Sequence, residues 1–209
     1  MENLKKETAE APSVIQVEIC SGARVTDELL SDVFVFVLFS WLIVLSAFVD
    51  FGSGATFTWG ILKLCLTGMF FLGARERAKV DKIWGNTNLC FVFLFGLFGG
   101  VTDVLSGLGF AMNPMILAIP NVYVGGLMIL CIGALRKNPW TFFALWVFAA
   151  FGVFALGLAG LGVMASALTL IGQIFLGVVA ALGTWAMIVF MHGYTGTGEK
   201  LTLGRPLFK

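Results

Sequence analysis

The chain has 209 residues, 59% hydrophobic and only 12% charged, with a mean hydropathy of +0.97; soluble domains carry about a quarter charged residues, so a water-soluble globular enzyme is excluded. Thirteen Lys and Arg against twelve Asp and Glu leave a net charge of +1, with the cations at segment ends rather than on one face, which argues against a nucleic-acid partner. The four cysteines lack metal-ligand spacing: Cys20 lies in a polar arm, and Cys65, Cys90 and Cys131 lie in apolar segments where small hydrophobic packing is the default, so no metal, cofactor or disulfide framework is expected.

Residues 1–31 read as a polar N-terminal arm with neither the apolar core of a signal peptide nor the acid-poor bias of a transit peptide. The arm is expected to stay on the side where it is made. Thr26 is placed to cap a first helix whose opening turn holds Asp27 and Glu28. Matching apolar runs to the roughly 20 residues that cross a bilayer predicts an all-α polytopic membrane domain over 32–192, with spans near 33–50, 56–74, 88–110, 115–135, 140–163 and 168–191, and a polar tail over 193–209. The intervening loops are too short to hold an inserted soluble domain.

Twelve of the thirteen cations lie in the arm, the 75–87 loop, the 136–139 loop and the tail, and the alternate loops carry none. The positive-inside rule then places both termini in the cytosol, N-in and C-in. The stretch 70–100 echoes 130–154: each has an apolar helix ending in Gly and Arg, a basic turn containing Asn, and a Phe-rich helix. This is either two three-helix repeats in opposed orientation or a chance likeness between apolar helices. The glycine pairs Gly96/Gly100 and Gly126/Gly133, with Gly152, Gly157 and Gly160, suit close helix packing. Trp59, Trp84, Trp140 and Trp185 fall near expected membrane interfaces.

Polar groups at membrane depth are costly and mark functional candidates. The thirteenth cation, Lys63, lies in the second span and Asp103 in the third, at a common depth from the cation-free side. They read as a structural ion pair, or as a lysine meeting an anion beside a protonatable carboxylate, unless Lys63 extends to the surface instead. Gln173 and Asp50 stand near the same side and could complete a vestibule, although Asp50 also reads as a solvated helix end. Asn121 and Tyr123 are less specific candidates, and the lone His192 at the end of the last span lacks the carboxylate neighbour of a proton relay. With one histidine, no Ser/His/Asp set and no phosphate loop, the chain is not expected to be an enzyme.

Three segments together resemble the acetate uptake transporter family. They are Gly85-Asn86-Thr87 followed by FVFLFGLFGG (91–100), the fourth and fifth spans NVYVGGLMILCIGALRKNPWTFFALWVFAAFGVFALG (121–157), and the ending with Gly204-Arg205 before Pro206 and Leu207. The resemblance covers residues 33–207 and implies six-helix permeases for acetate and sometimes succinate. The family's Asn-Pro-Ala-Pro-Leu-Gly-Leu type sequence at the first helix is not present, that region reading SDVFVFVLFSW (31–41). By position, the family's mid-pore constriction falls on Phe39 (or Trp41), Phe95 and Phe148. The resemblance therefore implies an integral membrane transporter for a small monocarboxylate moved with a proton, assembled as a homo-oligomer, a hexamer, with pores inside the subunits. The alternative is a non-transporting structural subunit of a larger membrane complex that retains the fold.

Overall fold

An apolar segment away from water must satisfy its backbone internally, and helices do so within one segment. In the computed structural model, which describes residues 27–195 and 201–206, with side chains over 31–192 and 201–206, the chain forms six helical rods: α1 (Asp27–Leu45), α2 (Ala55–Val80), α3 (Lys82–Gly107), α4 (Pro114–Cys131), α5 (Trp140–Gly160) and α6 (Ala165–Thr195). Five of them are long and apolar enough to cross a membrane, the architecture of a multi-pass integral membrane protein; the apolar part of α1, Ser31–Leu45, is shorter. Thr26, Cys20 and the rest of residues 1–26 of the arm, and residues 196–200 and 207–209 of the tail, lie outside the described residues.

Local chemistry sets the ends. Gly109 and Gly162, at φ 90° and 85°, turn the chain out of α3 and α5 through the left-handed region open to glycine. Asn113 caps α4 by accepting from the amides of Met115 and Ile116 at 3.0 and 3.3 Å, with Pro114 opening the helix. The 75–87 loop expected from its charges is instead helical: α2 runs on to Val80, α3 starts at Lys82, and Asp81 alone turns the corner. Its carboxylate caps α3 through the amides of Ile83 and Trp84, at 3.1 and 3.0 Å, and also accepts from Asn138 Nδ2 at 3.4 Å in the α4–α5 turn.

The helices pack in the cyclic order α1–α2–α3–α4–α5–α6, with a strong α1–α6 contact and a sparse one between α3 and α4 near Asp81. The echoed turns thus lie together at one end, two helices apart. They relate α2–α3 to α4–α5 in the same direction, so the echo does not itself relate the halves by inversion. Helix α5 is the centre of the bundle, 56% of its span being buried against 22% for α2 and α4. Trp84, expected at an interface, is buried at the basic end, meeting Phe142 edge-on at 5.4 Å and the tilted Trp146 ring at 5.2 Å. Gly126 and Gly133 have open space or only ordinary contact, and it is Gly125 that lets α4 approach the backbone of Phe154. The cysteines of α2 and α3, Cys65 and Cys90, are exposed rather than packed.

Candidate functional site

Three layers run through the half of the bundle built by α1, α2 and α3. At the basic end, fully buried Asp32 accepts Arg77 Nε at 2.6 Å and a second guanidinium nitrogen at 3.1 Å, with Asn88 Nδ2 at 2.7 Å. This is the paired fork geometry in which Arg and carboxylate interact best, and the Phe142 ring covers the guanidinium at 5.9 Å. One α1 carboxylate thereby ties α2 and α3 together. The sequence reading assigned Arg77 to a loop and did not single out Asp32 or Asn88.

The middle layer is aromatic. Phe36 stacks on Phe91 at 5.7 Å, Phe91 meets Phe95 at 5.1 Å, and Phe39 meets Phe70 edge-on at 6.4 Å. Beside them lies a void of about 40 Å³ with an almost wholly apolar wall, bordered by Phe36, Phe39, Phe70 and Phe95 and touched by Ser40 and Asn121. That exceeds the roughly 10–15 Å³ one water needs. Ser40 donates its hydroxyl to the Phe36 carbonyl at 2.9 Å.

Of the three phenylalanines expected to form a constriction, Phe39 and Phe95 border this void and Phe148 does not. Phe148 packs against Phe175 at 5.6 Å between α5 and α6. The reason is helical phase: α5 turns Val153 and Leu156 to the void, and five residues at 3.6 per turn place Phe148 about 140° around the helix from Val153. Trp41, the alternative to Phe39, is part exposed and donates its indole N–H to Thr184 Oγ1 at 3.0 Å, across to α6.

The third layer, at the cation-free end, is the Lys63–Asp103 pair. Lys63 Nζ lies 2.5 Å from Asp103 Oδ2 and 5.9 Å from the Trp59 ring centroid. Asp103, Asp50, Phe48, Phe51, Trp59 and Ser46 line an open cleft of about 640 Å³ that forms where α1 ends. Lys63 is not on its lining, so the charged side chains on the cleft wall are the carboxylates of Asp50 and Asp103. Asp50 holds the turn by accepting from the Gly52 amide at 2.9 Å. Gln173 is half-buried on α6 and borders neither the cleft nor the void; Tyr123 is 67% exposed, and His192 is exposed at the end of α6.

The layers follow from residue spacing. On α1, Asp32, Phe36, Phe39, Ser40 and Ile43 fall at i, i+4, i+7, i+8 and i+11, a single helical face. On α2, Lys63, Phe70 and Arg77 repeat every seven residues. On α3, a regular helix would continue Asn88 and Phe95 to Thr102, but the segment Val92–Phe98 is a π-helix, which takes up an extra residue, and Asp103 is the one that meets Lys63. Ile43 borders both the cleft and the central void, so the two spaces share one side chain as a common wall.

No protein-family model, curated protein or solved structure matches the chain.

Proposed function

We propose that the protein is a six-span membrane transporter, with its basic end and both termini in the cytosol, that carries a small acetate-like monocarboxylate together with a proton through its own bundle. The observation that carries this reading is that the cleft and the central void share Ile43 as a common wall, with Phe39 and Phe95 bordering the void. Two carboxylates against one ammonium leave the cleft region with a single negative charge, which repels a free anion and concentrates protons. A bare carboxylate in the aromatic layer would also lose its hydration without a counter-charge, at a cost of several kcal/mol or more. The species that passes is accordingly the uncharged acid, its proton crossing on the carboxyl group. The resemblance to acetate transporters adds a homo-oligomer, a hexamer, with one pathway per subunit.

Purified protein in liposomes is expected to take up labelled acetate above empty vesicles, and faster under an inward proton gradient. Phe95→Ala, which widens the aromatic layer, is expected to raise the rate. Silence from the folded wild type and the folded Phe95→Ala form alike would overturn the reading. Orientation is checked separately by membrane-impermeant thiol labelling: Ser53→Cys is expected to react from outside and Lys137→Cys only after permeabilisation.

A second reading, a non-transporting structural subunit of a larger membrane complex, is favoured by one observation. Lys63 and Asp103 are bonded to each other and the central void is small, as in a bundle whose polar groups serve packing. Silent but folded protein in both forms above is the result this reading expects.

A further inference from the structure

The open cleft at the cation-free end is one positive charge short. Of the two carboxylates on its wall, Asp103 is paired with Lys63 and Asp50 is not. One Asp50 oxygen accepts from the Gly52 amide at 2.9 Å, and among the described residues no cation and no other donor reaches the carboxylate. The turn thus fixes an exposed, uncompensated charge on the cleft wall.

The same wall is aromatic. Phe51 and Trp59 both line the cleft, and their rings meet edge-on, with centroids 6.3 Å apart and planes inclined at 67°. Two rings so inclined make a corner, and Phe48 lines the cleft beside them. Ring faces carry negative potential and attract cations, an attraction that proteins use to recognise quaternary ammonium groups. The chain itself supplies one example here: the Lys63 ammonium lies 2.5 Å from Asp103 Oδ2 and 5.9 Å from the Trp59 ring centroid.

A hard metal cation suits this wall poorly. Calcium takes six to eight oxygen ligands, and the described residues hold no group of three His, Cys, Asp or Glu that could hold a metal ion. An organic ammonium ion uses both features at once, its charge offsetting Asp50 and its apolar substituents lying on the rings. The cleft, at about 640 Å³, has the roughly 300–1,000 Å³ of a small-molecule site.

We propose that the cleft is a binding site for a small organic ammonium ion, with Asp50 supplying the counter-charge and Phe51 and Trp59 the aromatic corner. The site is independent of transport and adds a cationic ligand to the protein.

The test titrates the full-length protein in a nonionic maltoside with choline, whose trimethylammonium protons report binding by saturation-transfer NMR. The neutral carbon isostere of choline, with a tert-butyl group in place of trimethylammonium, is the control. Choline is expected to bind saturably, and the isostere about fivefold or more weakly. Asp50→Asn keeps an oxygen for the Gly52 amide and removes the charge; Trp59→Leu removes a ring. Each is expected to weaken choline by about fivefold or more, with Trp59→Phe falling between Trp59→Leu and the wild type. Thermal unfolding reports whether each variant is folded, and Asp50→Asn with Trp59→Phe carries the test if Trp59→Leu is not. Equal binding of choline and its isostere, wild-type affinity in the folded variants, or displacement of choline by an equal concentration of sodium chloride overturns the site. Binding is read without flux, so its failure leaves the transport reading standing.

Discussion

Asp32 and Asp103 are both intramembrane carboxylates bonded to a cation, and their surroundings separate them. The Asp32 side chain is wholly buried and its Arg77 partner is 11% exposed, whereas Lys63 and Asp103 are 19% and 29% exposed. Removing one member of a buried pair leaves the other charged and unpaired, which costs about 3–5 kcal/mol; a partly hydrated pair is worth about 1 kcal/mol or less. Asp32→Ala is therefore expected to lower the unfolding temperature in detergent far more than Asp103→Ala does, and equal shifts would contradict this ranking. The sequence made the Lys63–Asp103 pair legible and hid the Asp32–Arg77 pair for a physical reason. Lys63 and Asp103 interrupt long apolar runs, so they stand out, whereas Asp32 and Arg77 sit where such runs meet polar neighbours, Asp32 at the boundary with the arm and Arg77 within an expected loop. The usable signal was the seven-residue step from Lys63 through Phe70 to Arg77, together with the α1 stripe that begins at Asp32.

At the scale of elements, the close approaches decide what can change. A Cβ on Gly73 of α2 would lie 2.4 Å from Ser31 Oγ and 2.6 Å from the backbone nitrogen of Asp32, so α1 could not keep its position. Gly133 has nothing within 4 Å. Gly73→Val is expected to abolish recovery of monodisperse protein by size-exclusion chromatography, while Gly133→Ala elutes as the wild type does. Asp81 holds two turns at once, and Asp81→Ala is expected to cost about 1 kcal/mol for the lost cap, measured as a lowered unfolding midpoint. The positions of the apolar runs followed from composition and bilayer thickness, and so did the loop at Asn113-Pro114, while the turns at Gly109 and Gly162 fall just inside the expected spans 88–110 and 140–163. The π segment of α3 did not, because nothing in VFLFGLF marks a changed helical period; its effect shows only where Asp103, rather than Thr102, meets Lys63. Phe148 lies away from the central void for the same reason of phase, since position in a resembling pattern does not set which face of α5 is turned inward.

Across the whole molecule, the first three helices and the last three join firmly along α1 and α6 and only sparsely along α3 and α4. The central void is shared by both halves, with Phe39 and Phe95 from one and Asn121 and Leu176 from the other. A small rotation about the α1–α6 contact changes its volume. The apolar part of α1, Ser31–Leu45, spans about 22 Å at 1.5 Å per residue, against a hydrocarbon thickness of about 30 Å. Its neighbours are full length, so the lipid beside α1 must thin locally or admit water to the cleft, at a cost that rises with each ångström of mismatch. Membrane thickness thus becomes a control on the proposed transport: vesicles of short-chain lipids are expected to support faster acetate flux than those of long-chain lipids at equal protein content, and the host membrane would tune that flux without any ligand.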